Sequence, residues 1–308
     1  MNVFEGLETI PTPFPNATVA IGTFDGIHVG HQAIIRTAVM DARSHHRPAL
    51  VFTFDRHPAE LLAPDRAPAY LTTPAQRNRL IAEIGADALV VARFDLPLSQ
   101  KSPDEFVREI LKQRLGARAI VVGTNFFFGK ARAGDITYLE RHQDRFDYRL
   151  HALDPVLVDK LPASSTRVRE CLQTGAIAEA ERVLGHPYML AGIVVGGQRL
   201  GRTLGFPTAN LALEYRQIVP ADGIYAVRVH LDDGGIYGGA CSIGNRPTIE
   251  GAGRSIETYL LDFDADIYGH RMELQFVQKL RDEVRFDSLE ALKAQMARDV
   301  LQARALLV

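Results

Sequence analysis

The chain has 308 residues, 46% hydrophobic and 23% charged; this excludes a disordered chain and suits two domains. Thirty-five Lys and Arg against 37 Asp and Glu give a net charge of -2, so no global basic field is on hand for nucleic acid or a membrane surface. Two Cys alone, Cys171 and Cys241 with no CxxC, argue against a disulfide scaffold or a cysteine zinc site and fit a reducing compartment.

The first half alternates short apolar runs with helical periodicity. Strands are expected at 18–24, 49–54, 88–94 and 118–123, and helices at 29–46, 74–85 and 103–116. That alternation points to βαβ units around a parallel sheet. Two short helical segments follow, STRVRECLQTG and AIAEAERVLG, each stopped by Gly, then the breaker His186-Pro187. Beyond the breaker come strand candidates at 188–196, 223–231, 236–244, 256–263 and 271–280, and an amphipathic helix over 288–307. Consecutive short strands predict an antiparallel sheet or small barrel. The expected division is therefore 1–186 and 187–308. The N-terminus lacks the basic start and apolar run of a signal peptide, and no run approaches 18 apolar residues. The expected location is cytoplasmic, with no membrane and no nucleic-acid partner.

The junction of the first strand and first helix reads Gly22-Thr23-Phe24-Asp25-Gly26-Ile27-His28-Val29-Gly30-His31. Ligands of a parallel sheet sit at the carboxyl ends of its strands, and a helix start there offers free N–H groups to phosphate. His28 and His31 share a helix face, and two imidazoles suit the charge that develops in phosphoryl or nucleotidyl transfer. Gly30 lets a nucleotide approach the backbone. The plainer account is a pair of solvated helix-start histidines.

This run resembles the HxGH signature of nucleotidyltransferases. Its longer form, GTFDGIHVGH, resembles the adenylyltransferase half of bacterial bifunctional riboflavin kinases/FMN adenylyltransferases, the prokaryotic FAD synthetases. Val122-Gly123-Thr124-Asn125-Phe126-Phe127-Phe128-Gly129 is similar to that family's flavin stretch, with Asn125 where many members carry Asp. Ser164-Ser165-Thr166-Arg167-Val168-Arg169 is similar to its ATP-phosphate motif; read alone it is an N-cap with a solvated basic face. The resemblance implies that Gly22, Phe24, Asp25, Gly30, Ser165, Thr166 and Arg169 bind ATP. It also implies that Asn125 and Phe128 bind flavin. The plainer account of the three Phe is core packing.

The stretch 196–210, GGQRLGRTLGFPTAN, offers glycines and arginines able to fold over phosphates. Thr208 and Asn210 add neutral oxygens suited to a hard cation such as Mg²⁺. The stretch resembles the riboflavin kinase signature containing PTAN, with Gly196, Gly201, Arg202 and Gly205 in the phosphate loop; a flexible hairpin loop is the plainer account. Strand alternation puts Glu257 on one face with Tyr259, Leu261 and Phe263, where a carboxylate is costly without a partner. The resemblance makes Glu257 the base that deprotonates the ribityl hydroxyl; a wet edge strand is the competing account. Asp262, Asp264, Asp266 and Glu273 have EF-hand spacing, but Ile267 holds the obligatory Gly position, which excludes that loop.

Together these motifs imply a Rossmann-like nucleotidyltransferase domain, then a small antiparallel β-barrel riboflavin kinase domain with a C-terminal helix. Riboflavin, FMN and ATP are the implied substrates and Mg²⁺ the implied metal. A flavin-binding protein with dead sites, and a nucleotidyltransferase for another phosphorylated metabolite, are the competing classes. Arg56 stands in FDRHP where family members commonly have Pro, which leaves His57 without an assigned role.

Overall fold

The computed structural model describes all residues except 12, 13, 15, 198–203, 246–253 and 308. The chain forms two compact units, Met1–Pro68 with Pro74–Ala163, and Ala69–Thr73 with Ser164–Val308.

The first unit is built on β1 (Asn2–Glu5), β2 (Ala17–Ile21), β3 (Ala49–Phe54), β4 (Ala88–Ala92), β5 (Ala117–Gly123) and β6 (Arg149–Leu153). They pair in the order β1-β4-β3-β2-β5-β6, all parallel. A small hairpin of β7 (Leu157–Val158) and β8 (Leu161–Pro162) follows. The central strands are apolar without alternation because both faces are covered. Val19, Ile21, Phe52, Val90 and Ile120 pack in one cluster with Phe106, Val107 and Leu111. Ala20, Val51, Leu89 and Val121 pack in the other with Ile35, Ala38 and Ile81. This doubly wound arrangement is the expected one. The edge strands β1 and β6 carry no sequence signal, because a half-exposed edge needs no continuous apolar run. The helix expected over 103–116 starts with a Ser102/Glu105 capping box but winds wider from Phe106 to Arg114, as a π-helix.

The second unit contains β9 (Met189–Val195), β10 (Thr208–Leu213), β11 (Gly223–Leu231), β12 (Ile236–Asn245), β13 (Arg254–Leu260) and β14 (Arg271–Arg281). They close a barrel in the order β10-β13-β12-β11-β14-β9, with every pairing antiparallel. Tyr188, Tyr225 and Phe276 fill its interior. The final helix, Leu289–Leu307, is held by a fork between Arg281 and the buried carboxylate of Asp299, at 2.9 and 2.7 Å.

The change of texture at 186 is not where the contacts divide the chain. Helices Ser165–Thr174 and Ile177–Leu184 belong to the second unit, where the Leu172 carbonyl accepts from the Ala221 N–H at 2.9 Å. A strap from the first half joins them. Tyr70 exchanges backbone bonds with Arg216 and Ile218, while the buried Gln217 amide donates to Met189 and accepts from Ala191. A fragment 187–308 keeps the barrel and its closing helix, so it is expected to fold and phosphorylate riboflavin. It should melt on the order of 5 °C below fragment 164–308, because the surface under Ile177, Ala180, Val183 and Leu184 is then exposed. Paired thermal melts with an FMN assay decide this; equal melting temperatures would refute the packing argument, and a folded but inactive 187–308 would refute the separability.

Candidate active sites

In the first unit, the buried strand β2 runs into a turn with three positive-φ residues, Phe24 (47°), Gly26 (82°) and Ile27 (41°). For the two that are not glycine this costs roughly 1–2 kcal/mol each. Their fully buried side chains and two hydrogen bonds hold the turn. The Thr53 hydroxyl donates to the Thr23 carbonyl at 3.0 Å, and the buried Gln32 amide donates to the Ile27 carbonyl at 3.0 Å. No sequence motif marks Thr53 or Gln32.

The turn delivers His28 to the N-cap of the helix Val29–Ser44, where its Nδ1 accepts from the His31 N–H at 3.3 Å. The neutral ring therefore carries its proton on Nε2. The two imidazoles stack at 3.6 Å between centroids, and Phe24 meets His31 edge-on at 5.3 Å. These are not solvated surface histidines: His28 is 6% exposed, and His31 Nδ1 is buried without a hydrogen-bond partner. Burial, and then the charge of His28, hold the His31 imidazole well below its usual range. His31 is thus neutral near pH 7 in the free protein.

A Cβ on Gly30 would meet the His28 ring at 3.1 Å. The glycine makes room for the capping imidazole, which is a different reason from close approach of a nucleotide.

The burial of His31 makes the stability of the fold depend on pH. The unfolded chain protonates His31 at about pH 6.5, before the native state does, so native stability falls as pH drops below about 6.5 and is unaffected above it. His31→Asn should flatten that slope in melting temperatures recorded from about pH 5 to 8. An unchanged slope would show that His31 is not the group responsible.

β2 and β5 are parallel neighbours, while β3 and β6 lie on their outer sides. Turns 22–28 and 124–128 therefore leave the same sheet edge, at the switch point where such sheets bind ligands. Asn125 is exposed in the second turn and folds back over Gly123, whose Cβ would lie 2.9 Å from its Oδ1. Two aromatic side chains expected at the ligand are instead buried. Phe24 is 0% exposed, so only its backbone can face a phosphate. Phe128 is in the core, stacked on Phe126 and packed against Phe106. The ring available to a ligand is Phe127, 48% exposed with the Arg132 guanidinium 4.5 Å from its centroid. Alternation along an extended segment turns neighbouring side chains to opposite faces, and sequence alone does not say which face is inside. Gly22 and the buried Asp25 lie in the same turn as His28. His57 caps the helix Pro58–Leu62, its Nδ1 accepting from the Ala59 N–H at 3.1 Å.

In the second unit, Ser164 caps the helix Ser165–Thr174 by accepting from the Arg167 N–H. Ser165 and Thr166 open that helix, Arg167 pairs with Glu179 at 2.9 Å, and Arg169 Nε donates to the Ala69 carbonyl at 2.7 Å.

On the barrel, Thr208, Asn210 and Glu257 come together. Thr208 and Asn210 begin β10 rather than ending a loop, and Asn210 stands directly across from Glu257 on β13. The Thr208 hydroxyl donates to Glu257 Oε2 at 3.2 Å. β13 lies between β10 and β12, so Glu257 is not on an edge. Nor is its face apolar. Ile256, Thr258 and Leu260 are the buried side of β13, while half-buried Glu257 and Tyr259 share the other; the strand stops at Leu260, before Leu261 and Phe263. Ser242 faces Glu257 from β12, a neighbour set by register that no sequence spacing reveals. Asn210 is 6% exposed, and a Cβ on Gly197 would strike its amide at 2.4 Å, so that glycine makes room for the Asn210 side chain. Gly196 and the positive-φ Gly205 have open space where a Cβ would stand. Gly201 and Arg202 lie outside the described residues.

Among the described residues no group of three or more His, Cys, Asp or Glu is placed to hold a metal. The barrel instead offers a hydroxyl, an amide oxygen and one carboxylate, a set of hard oxygen donors suited to a cation shared with phosphate and water.

Paired imidazoles at a switch-point helix, and a carboxylate with two oxygen donors on a barrel face, are groups suited to one class, the phosphate-transferring enzymes. The comparisons specify it. A family model described as FAD synthetase matches residues 11–167, and one described as riboflavin kinase matches residues 184–307. The bifunctional riboflavin kinase/FMN adenylyltransferase of Escherichia coli (strain K12) is 37% identical over 305 residues, 99% of this chain and 97% of that protein. The protein of the same description from Pseudomonas fluorescens is 40% identical over 99% of this chain and 98% of its own length. A solved structure from Streptococcus pneumoniae, described as a macrolide-efflux protein, is similar at a TM-score of 0.88, with 32% identity and 99% of each chain covered. No helix among the described residues is long and apolar enough to cross a membrane. The chain belongs to the bifunctional riboflavin kinase/FMN adenylyltransferase family, with the adenylyltransferase part first and the kinase part second.

Proposed function

We propose that Glu257, Thr208 and Asn210 carry the kinase reaction and that His28 and His31 carry adenylyl transfer, with residues 1–186 and 187–308 supplying the respective sites. The observation that carries this reading is the cross-strand register of Asn210 with Glu257, joined by the Thr208 hydrogen bond.

In the kinase, the Glu257 carboxylate takes the proton of the terminal ribityl hydroxyl as its oxygen attacks the γ-phosphorus of ATP; FMN and ADP leave. Thr208 Oγ1 and the Asn210 amide oxygen hold Mg²⁺, which when bound neutralises charge on the phosphates. Gly196 and Gly205 bind those phosphates, together with Gly201 and Arg202, which lie outside the described residues. In adenylyl transfer, an FMN phosphate oxygen attacks the α-phosphorus of a second ATP, and pyrophosphate leaves. The nucleophile is already an anion, so no protein base is required. His28 donates from Nε2–H to the ATP phosphates, and backbone N–H groups of the 22–30 turn and helix start support it. His31, stacked on His28 and neutral near pH 7, offers its single N–H as a second donor. Ser165, Thr166 and Arg169 bind ATP phosphate, while Asn125 and the exposed Phe127 meet the flavin. Two buried free thiols, Cys171 and Cys241, suit a cytoplasmic enzyme.

The test is incubation with riboflavin, ATP and Mg²⁺, with the flavins separated by chromatography. FMN and FAD are the expected peaks, and neither should form after chelation of the metal. Absence of both with metal present would mark a flavin binder without catalysis. Thr208→Val is expected to raise the Mg²⁺ concentration for half-maximal FMN formation by about tenfold or more, since one oxygen donor is lost. An unchanged Mg²⁺ requirement would remove Thr208 from the metal site.

A further inference from the structure

The first unit holds a cavity of about 640 Å³ that neither reaction uses. It lies at the opposite edge of the sheet from the His28 turn. Asn16 precedes β2, Arg118 and Ala119 open β5, Arg149 opens β6, and Asp41, His45 and Arg47 come from the C-terminal end of the helix Val29–Ser44 and the turn after it.

The lining carries three guanidinium groups, Arg47, Arg118 and Arg149, and three carboxylates, Asp41, Asp144 and Asp147. Asp41, half-buried as a residue but with a carboxylate only 7% exposed, accepts from the Thr18 hydroxyl at 2.6 Å and lies 3.2 Å from His151 Nε2. His45 Nδ1 stands 3.4 Å from the same carboxylate. Arg118 is paired with Asp147 and donates to Asn16 at 3.1 Å. Two guanidinium groups are left over: Arg47, half-buried, and Arg149, exposed, have no side-chain partner among the described residues. Asp144 is the single carboxylate of the lining outside these pairs.

Helix C-terminal carbonyls repel anions, but here they are occupied. The Asp41 carbonyl accepts from the His45 N–H at 3.1 Å, and the Ala42 carbonyl accepts from the Arg47 N–H at 2.8 Å. Behind the rim, Lys112 is bound to the Ala117 and Asp147 carbonyls at 2.7 Å; burial, and then the charge of Arg118, lower its amine to about 8. Arg47 and Arg149 are left without a side-chain partner among the described residues, and a phosphate oxygen pair is the geometry that guanidinium groups bind best.

We propose that this cavity is a second ligand site, distinct from both active sites, that binds a small phosphate-bearing anion between Arg47 and Arg149. The phosphate belongs either to free pyrophosphate or to a nucleotide monophosphate, both of which fit a polar cavity of this size.

Equilibrium dialysis of the full-length protein with labelled pyrophosphate tests it. The unmodified protein is expected to bind one more equivalent than the Arg47→Ala/Arg149→Ala double variant, while conversion of riboflavin to FAD is unchanged. Arg149 is exposed, so Arg149→Ala alone should fold even if the double variant does not, and it should weaken that equivalent by at least tenfold. Equal stoichiometry and affinity in all three proteins would overturn the proposal. AMP that displaces the extra equivalent assigns the site to nucleotides; pyrophosphate binding undisturbed by AMP assigns it to the free anion.

Discussion

Glu257→Gln is expected to lower FMN formation from riboflavin by roughly 10²-fold or more, which corresponds to about 2.7 kcal/mol or more of lost transition-state stabilisation. The substitution keeps the size of the side chain. It also keeps an oxygen that accepts from the Thr208 hydroxyl, so the bond seen at 3.2 Å survives and the barrel register is not disturbed. What is lost is the basic oxygen and the negative charge beside the metal donors. FAD formation from supplied FMN should continue at its original rate, because every residue assigned to adenylyl transfer lies elsewhere in the chain. KM for riboflavin should change little against a large fall in kcat, since the ground state loses no contact of comparable size. Kinase activity like that of the unmodified enzyme would sink the assignment of the base.

His28→Ala should produce the opposite pattern: FMN accumulates from riboflavin while FAD formation falls on the order of 10²–10³-fold. Two things are removed together, and they can be separated. The first is the N-cap bond from the His31 N–H, worth about 1 kcal/mol of stability. The second is the Nε2–H donor. His28→Asn restores a capping oxygen without restoring the imidazole, so it should recover most of the melting temperature and none of the FAD synthesis. If Asn rescued activity together with stability, His28 would be a cap and not a phosphate donor. If Ala abolished FMN formation as well, the two activities would not be carried by separate sites.

Much of this architecture is legible in the order of residues. The continuous apolar runs at β2, β3, β4 and β5 read as strands covered on both faces, and the later strands and closing helix fall within a few residues of their expected bounds. The two signatures are local in sequence, and their chemistry depends on residue type: imidazoles at a helix start, oxygens two apart in PTAN. Strand β10 is hidden inside the second signature, and β1 and β6 are hidden because edges carry little periodicity.

Periodicity is a short-range property, and it suffices for the order of the two architectures; the two local signatures carry the resemblance that implies both chemistries. Long-range packing settles the rest. Register, fixed by pairing β10 with β13 and β13 with β12, chooses Thr208, Asn210 and Ser242 as the neighbours of Glu257. Burial chooses Phe127 over Phe128 as the exposed ring and sets the charge state of His31. Packing joins helices Ser165–Thr174 and Ile177–Leu184 to the barrel, across the break that composition suggests. Each of these depends on residues that are distant along the chain becoming close in space and shut away from water, and no local pattern of residue types encodes that.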